Sequence, residues 1–136
     1  MHFDQSLVGK SSLPQTFEVT LEAVKRFMEA TGDPALQSEE PLQYAPPTFP
    51  TTFRIRVPEL ELDPTKMQLL HGEQQYNYTR QLRIGEKVTC VAHIVDVRER
   101  HGKAGTMTFI ITETTATDSR QQPVYTARST LIVRQK

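Results

Sequence analysis

The chain has 136 residues, 37% of them hydrophobic, and its 16 Lys and Arg balance its 16 Asp and Glu at a pI near 6.9. That length fits one domain with a single core, residues 1–136, and the charge balance excludes the basic footprint that nucleic acid or an anionic membrane surface attracts. Cys90 is the only cysteine, which excludes an intrachain disulfide and a thiolate-based zinc site. No apolar run approaches the ~20 residues that span a bilayer, and Met1-His2-Phe3-Asp4-Gln5 lacks the basic-then-apolar profile of a secretory signal. A cytoplasmic protein is expected.

In chain order, Phe17-Glu18-Val19 reads as a short strand or an extended lead-in. A helix is expected over residues 19–32, where Leu21, Val24, Phe27 and Met28 recur at helical spacing and Glu22, Lys25, Arg26 and Glu29 take the other faces. Thr20 is its N-cap, and Gly32 ahead of Pro34 its stop signal. From Asp33 to Pro64 the chain is rich in proline, which fixes φ and removes a donor. A loop this long is expected to wrap over the sheet and to hold one or two short helices.

The remainder reads as an antiparallel meander. Leu69 to Arg80 is its first strand, followed by a turn near Arg83-Ile84-Gly85-Glu86. Lys87 to Arg100 is a long second strand in which Val88, Cys90, Ala92 and Ile94 alternate with Val91, His93, Val95 and Val97. Both faces are fairly apolar, as suits a central strand. The hairpin His101-Gly102-Lys103-Ala104-Gly105 leads to Thr106–Ala116, and Asp118–Gln122 turns into Val124–Arg134. One helix against such a sheet is α+β.

Gly32-Asp33-Pro34-Ala35-Leu36-Gln37-Ser38 follows the helix where MaoC-type hot-dog hydratases carry G-D-x-N-P-x-H. The chain also has Leu7-Val8-Gly9-Lys10, Ala45-Pro46-Pro47-Thr48-Phe49-Pro50, Leu70-His71-Gly72-Glu73-Gln74-Gln75-Tyr76 and Arg128-Ser129-Thr130-Leu131-Ile132-Val133-Arg134. Taken together it resembles the N-terminal type of MaoC-like dehydratase domain, in the FAS1-like dehydratase and (R)-hydratase family. The resemblance implies a hot-dog fold, a double-hot-dog dimer, and acyl thioester ligands whose coenzyme A or acyl carrier protein belongs to the substrate, with no separate cofactor. Departures accompany the matches. Ala35 and Leu36 stand where Asn-Pro is expected and Ser38 where the catalytic His belongs. Tyr78-Thr79-Arg80-Gln81 replaces a common Tyr-His-Arg-Pro, and the stretch from Asp33 to Tyr44 is shorter than usual.

Each candidate residue has a functional and a plain structural reading. Asp33 is either a general base or the carboxylate of an Asp-Pro turn. His71 and Glu73, two apart on a strand and so on one face, are either an acid/base pair at a cleft or a solvent-facing pair. His93 reads as a partly buried, hydrogen-bonded histidine, Cys90 as a core thiol, and His2 and His101 form no metal constellation. Pro47, Thr48, Phe49 and Gln74 are candidate substrate-binding residues, the first three on a proline-stiffened segment that is either a tunnel wall or a connector. Arg98, Arg100, Lys103 and Arg128 are candidate contacts for coenzyme A phosphates, or simply a solvated surface.

The resulting expectation is an acyl-thioester-binding, non-catalytic subunit of an (R)-specific enoyl-CoA hydratase or 3-hydroxyacyl-thioester dehydratase. It would form a heterodimer with a MaoC-type chain that carries the intact Asp and His. The alternatives are a homodimeric hydratase or acyl-CoA thioesterase using Asp33, or His71 with Glu73, and a homodimeric thioester binder without turnover.

Overall fold

The computed structural model describes residues 3–103 and 105–135, so His2 and Ala104 lie outside the described residues. Five strands form one antiparallel sheet: β1 (Gln15–Glu18), β2 (Met67–Tyr78), β3 (Lys87–Gly102), β4 (Gly105–Thr117) and β5 (Pro123–Gln135). Their spatial order is β1-β3-β4-β5-β2. One helix, α1 (Leu21–Thr31), packs on the sheet, and short 3-10 turns occupy Gln5–Leu7, Pro34–Gln37 and Phe49–Thr52.

Local chemistry sets the ends of α1. The Thr20 hydroxyl accepts from the Ala23 N–H at 3.1 Å, and Gly32 closes the helix in the left-handed region at φ +69°, which glycine enters without a Cβ clash. Val24 and Met28 are buried, whereas Leu21, expected on the same apolar stripe, is 44% exposed. Glu22 and Arg26 pair at 2.9 Å one turn apart on the solvent side.

The strands fall within about two residues of their expected limits, but their order departs from a simple meander. Only β3, β4 and β5 are joined in sequence order; β2 pairs along its length with β5. The link from β2 to β3 therefore crosses the end of the sheet instead of forming a hairpin, and a partly buried ion network holds it there. Arg80 donates to both Glu86 oxygens at 2.8 and 2.7 Å and to Asp118 in the β4–β5 turn at 3.2 Å. Burial alone would raise the Glu86 carboxyl, but the Arg80 guanidinium and the Arg83 N–H outweigh it and hold it below its ordinary value.

Two bulges move side chains between faces. In β2 the register shifts between His71 and Glu73, and in β3 between Ile94 and Asp96. The extra residue reverses the in/out alternation beyond it. Val97 consequently joins Val88, Cys90, Ala92 and Ile94 on the inner face, where it is 3% exposed, and not the outer set containing Val91 and His93.

The inner face carries two apolar clusters. At one end α1 and the segment around Phe49 pack on Val88, Cys90, Ala116, Val124 and Tyr125. At the other, Phe3, Val57, Met67 and Leu60 pack on Ile94, Val97, Ile110 and Val133. The long loop supplies much of both covers: Phe53 stacks on Phe17 with centroids 4.5 Å apart, and Ile55 reaches both clusters. No helix among the described residues is long and apolar enough to cross a membrane.

Candidate functional site

Between the two clusters lies an open cavity of about 1270 Å³, ample beside the roughly 300–1,000 Å³ of most ligand pockets. The strand register explains it. Residues opposite one another in a ladder share a face, so Ala92, Thr114, Ala127 and Tyr76 form one row across β3, β4, β5 and β2. The next row is Ile94, Thr112, Ser129 and Gln74. Side chains this small on β4 and β5 do not fill the space beneath the loop, whereas on one side Ile110 and Leu131 and on the other Tyr125, covered by α1 and Phe49, close into cores. The roof is the extended stretch from Pro50 to Met67.

The cavity floor is polar. The Thr112 and Ser129 hydroxyls lie 2.7 Å apart in a hydrogen bond. Gln74 and Tyr76 are half-buried at the β2 side, with His71 exposed at the margin. Burial pushes the Tyr76 phenol up to about 12, with a contribution from nearby Cys90, so at neutral pH it is a hydroxyl donor and not a base. Tyr78 donates to the Pro47 carbonyl at 2.7 Å. Tyr125 packs against both tyrosines, its hydroxyl 3.5 Å from the Cys90 sulfur. Burial raises the Cys90 thiol, as expected of an unreactive core residue.

Asp33 and Ser38 stand apart from this cavity. The Asp33 carboxylate accepts from the Ala35 N–H at 3.0 Å, capping the 3-10 turn Pro34–Gln37. Ser38 ends that turn, exposed, and accepts from Glu40 N–H. Neither side chain lines the cavity. The expectation that His71 and Glu73 share a face is corrected by the β2 bulge. His71 pairs with Leu131 and turns inward, whereas Glu73 pairs with Thr130 and faces out. Gly72 occupies the bulge, where an added Cβ would meet Ile132 Cδ1 at 3.0 Å.

Of the candidate substrate-binding residues, Gln74 is on the cavity floor. Phe49 is 2% exposed in the core, edge-on to both Phe27 and Phe53. Pro47 and Thr48 lie exposed on the surface. Their segment is fastened by the Tyr78 hydroxyl and by Ala45 N–H donating to Leu82 O at 2.8 Å, and only Pro50 reaches the cavity edge. This is the geometry of a connector.

His93 sits on the outer face, half-buried, with Nε2 3.9 Å from the Glu113 carboxylate. Among the candidate phosphate contacts, Arg98 pairs with Asp96 and Arg128 with Glu113, while Arg100 lies over the Phe109 ring at 5.6 Å. The cations that do line the cavity are Arg54, Arg56 and Lys66. Their signal in the sequence is the alternation Phe53-Arg54-Ile55-Arg56-Val57, which reads as an extended two-faced strap. Among the described residues no group of three or more His, Cys, Asp or Glu could hold a metal ion.

Known proteins share this architecture. The family model of the FAS1-like dehydratase domain region matches residues 6–127. A UPF0336 protein of Streptomyces coelicolor is 36% identical over 119 residues, covering 75% of this chain and 78% of that protein. In three dimensions the chain is similar to a subunit of the HadBC (3R-hydroxyacyl-ACP dehydratase) complex of Mycobacterium tuberculosis. The TM-score there is 0.73 at 20% identity, over 96% of this chain and 99% of that one. It is also similar to the ChsH1-ChsH2 complex of the same organism, with a TM-score of 0.65 at 18% identity over 90% and 83% of the two chains. At these identities the structural likeness speaks for the fold, which is the hot-dog. The match over residues 6–127 speaks for descent: this chain belongs to the FAS1-like dehydratase domain family.

Proposed function

We propose that the chain is the acyl-thioester-binding, non-catalytic half of an (R)-specific enoyl-CoA hydratase or 3-hydroxyacyl-thioester dehydratase. Its partner is a chain carrying the intact D-x-N-P-x-H motif. The observation that carries this reading is the separation of a ligand-sized cavity from the remnant of the motif. Asp33 spends its carboxylate on its own turn, and Ser38 offers no imidazole to move a proton. In the partner, the Asp and His would deliver water to the β-carbon and a proton to the α-carbon, with helix N-terminal amides polarising the thioester oxygen. This chain would hold the acyl group beneath its sheet. Coenzyme A or acyl carrier protein enters as part of the substrate, in the cytoplasm.

The β2 edge supports pairing. It is twelve residues long, paired on one side only among the described residues, and exposes Leu69 and Leu70 at 38% and 62%. A long free edge with apolar residues is a template for another strand. Both HadBC and ChsH1-ChsH2 are described as complexes, which favours a two-chain assembly here.

The test is hydration of trans-2-enoyl-CoA substrates, short and long, by a mixture of this chain with a D-x-N-P-x-H chain. Activity is expected only from a complex of the two. A mixture that neither associates nor gains activity over the partner alone would overturn the reading.

One observation favours a second reading, a homodimeric hydratase or thioesterase. His71 lines the cavity and its ring makes no hydrogen bond among the described residues, so it is available as a base. Glu73 on the opposite face would not assist it. Turnover by the isolated chain that disappears in His71→Ala would select this reading.

A further inference from the structure

We propose that the cavity selects acyl chains bearing a hydroxyl or keto oxygen further from the thioester than C3, which the Gln74–Ser129–Thr112 row recognises. This rests on the acyl-thioester reading above and specifies its substrate class. A saturated alkyl chain is best met by apolar walls, because it offers nothing to the polar groups it covers. Here the row crossing the middle of the floor is polar on three successive strands, β2, β5 and β4.

The hydrogen-bonding capacity of that row is left partly unused. The Gln74 amide, half-buried, makes no hydrogen bond among the described residues. It therefore keeps two donors and an acceptor. Thr112 and Ser129 satisfy one another once, and whichever hydroxyl accepts retains its own hydrogen for a further acceptor. Tyr76, in the neighbouring row, adds a phenol held in its protonated form.

On one side of the polar row lie Ile110 and Leu131, next along β4 and β5, and on the other Ala92 and Ala127 share their row with Thr114 and Tyr76. A chain crossing the floor thus passes from apolar surface onto polar groups that begin at the Gln74–Ser129–Thr112 row, where an oxygen on the chain would find its first partners. Covering Gln74 with methylene groups alone would leave its amide unmet, whereas one oxygen at that depth restores a partner.

The experiment measures binding of dodecanoyl-CoA and of isomers in which a single hydroxyl is walked along the same chain. Calorimetry is run on the chain alone and in complex with a D-x-N-P-x-H chain. At least one isomer hydroxylated beyond C3 should bind about fivefold or more tightly than dodecanoyl-CoA and 3-hydroxydodecanoyl-CoA, the effect of roughly one net hydrogen bond. In Gln74→Leu and in the near-isosteric Thr112→Val, that preference should fall to parity while dodecanoyl-CoA binding holds or improves. Melting curves confirm that the variants fold, and Thr112→Val serves if Gln74→Leu does not. Equal affinity for all ligands in the native chain, or a preference for the 3-hydroxy isomer alone, would overturn this inference and leave the acyl-thioester reading standing. Failure of every acyl-CoA to bind, alone or in the complex, would overturn both.

Discussion

The end of the sheet under α1 and the middle of the sheet are built from the same strands and are physically opposite. Under α1, large side chains interlock. Phe49 meets Phe27 and Phe53 edge-on, and the polar atoms find partners, the Tyr78 hydroxyl at the surface on Pro47 O and the buried Cys90 thiol at the Tyr125 hydroxyl. Two residues further along the strands, Ala127 follows Tyr125 on β5 beside Ala92 and Thr114, no helix among the described residues covers the row, and the ladder that made a core makes a hollow. Close packing is thus a matter of which residues share a row. The first region is where stability is concentrated, and the second is where a ligand can be accommodated without undoing the fold.

Substitutions at the two places should separate accordingly. The largest effect is expected at the packed end. Phe49→Ala leaves a void beside Phe27 and Phe53, and should cost about 3–5 kcal/mol in urea unfolding, the usual range for a buried Phe. A loss below about 1 kcal/mol would mean the site collapses freely and the core is not close-packed.

The network at the β2–β3 crossover should matter less. Arg80→Met leaves the Glu86 carboxylate without its bidentate partner. Because both side chains remain partly exposed, at 25% and 16%, a cost of about 1–2 kcal/mol is expected at neutral pH. The sign of its pH dependence follows from the direction of the shift. Glu86 is held below the ordinary value of 4.5 in the folded chain, so it contributes stability that is complete above that value. The contribution is lost as pH falls through the lower folded value. Native chain and Arg80→Met should therefore converge in stability under acid. A gap that widens on acidification would show that the shift has the opposite sign.

The smallest stability effect is expected at the hollow. Ala127→Leu adds volume to open space, so the change in unfolding free energy should stay within about 1 kcal/mol, well below that of core overpacking. Acyl-CoA affinity should nevertheless drop by about tenfold or more, equivalent to ~1.4 kcal/mol. Unchanged binding in a folded Ala127→Leu would place the ligand elsewhere.

What could be read from the sequence follows the range of the interactions involved. The limits of α1 were legible because a threonine hydroxyl and a glycine act within one turn of their own position. The strands were legible because alternation is local, and the hot-dog family was recognisable from short segments spread along the chain. Strand order was not, since nothing near β2 announces that it pairs with β5 across the sheet. The β2 bulge left a trace in Gly72, a glycine inside a strand, whereas the β3 bulge at Val95 left none. A one-residue bulge is enough to turn an apparent His71–Glu73 pair into residues on opposite faces. The cavity was invisible for a related reason. Alanine, serine and threonine in separate strands acquire meaning only once the register aligns them.

On the proposed function, binding and chemistry have parted company in this chain. The most direct measurement is hydration of trans-2-dodecenoyl-CoA by the isolated, folded protein at concentrations where that thioester is bound. Binding with turnover no faster than the uncatalysed reaction is expected, and no change in Asp33→Asn. Turnover by the chain alone at about 1 s⁻¹ or faster, within the ordinary range of enzymes, and abolished by Asp33→Asn would contradict it.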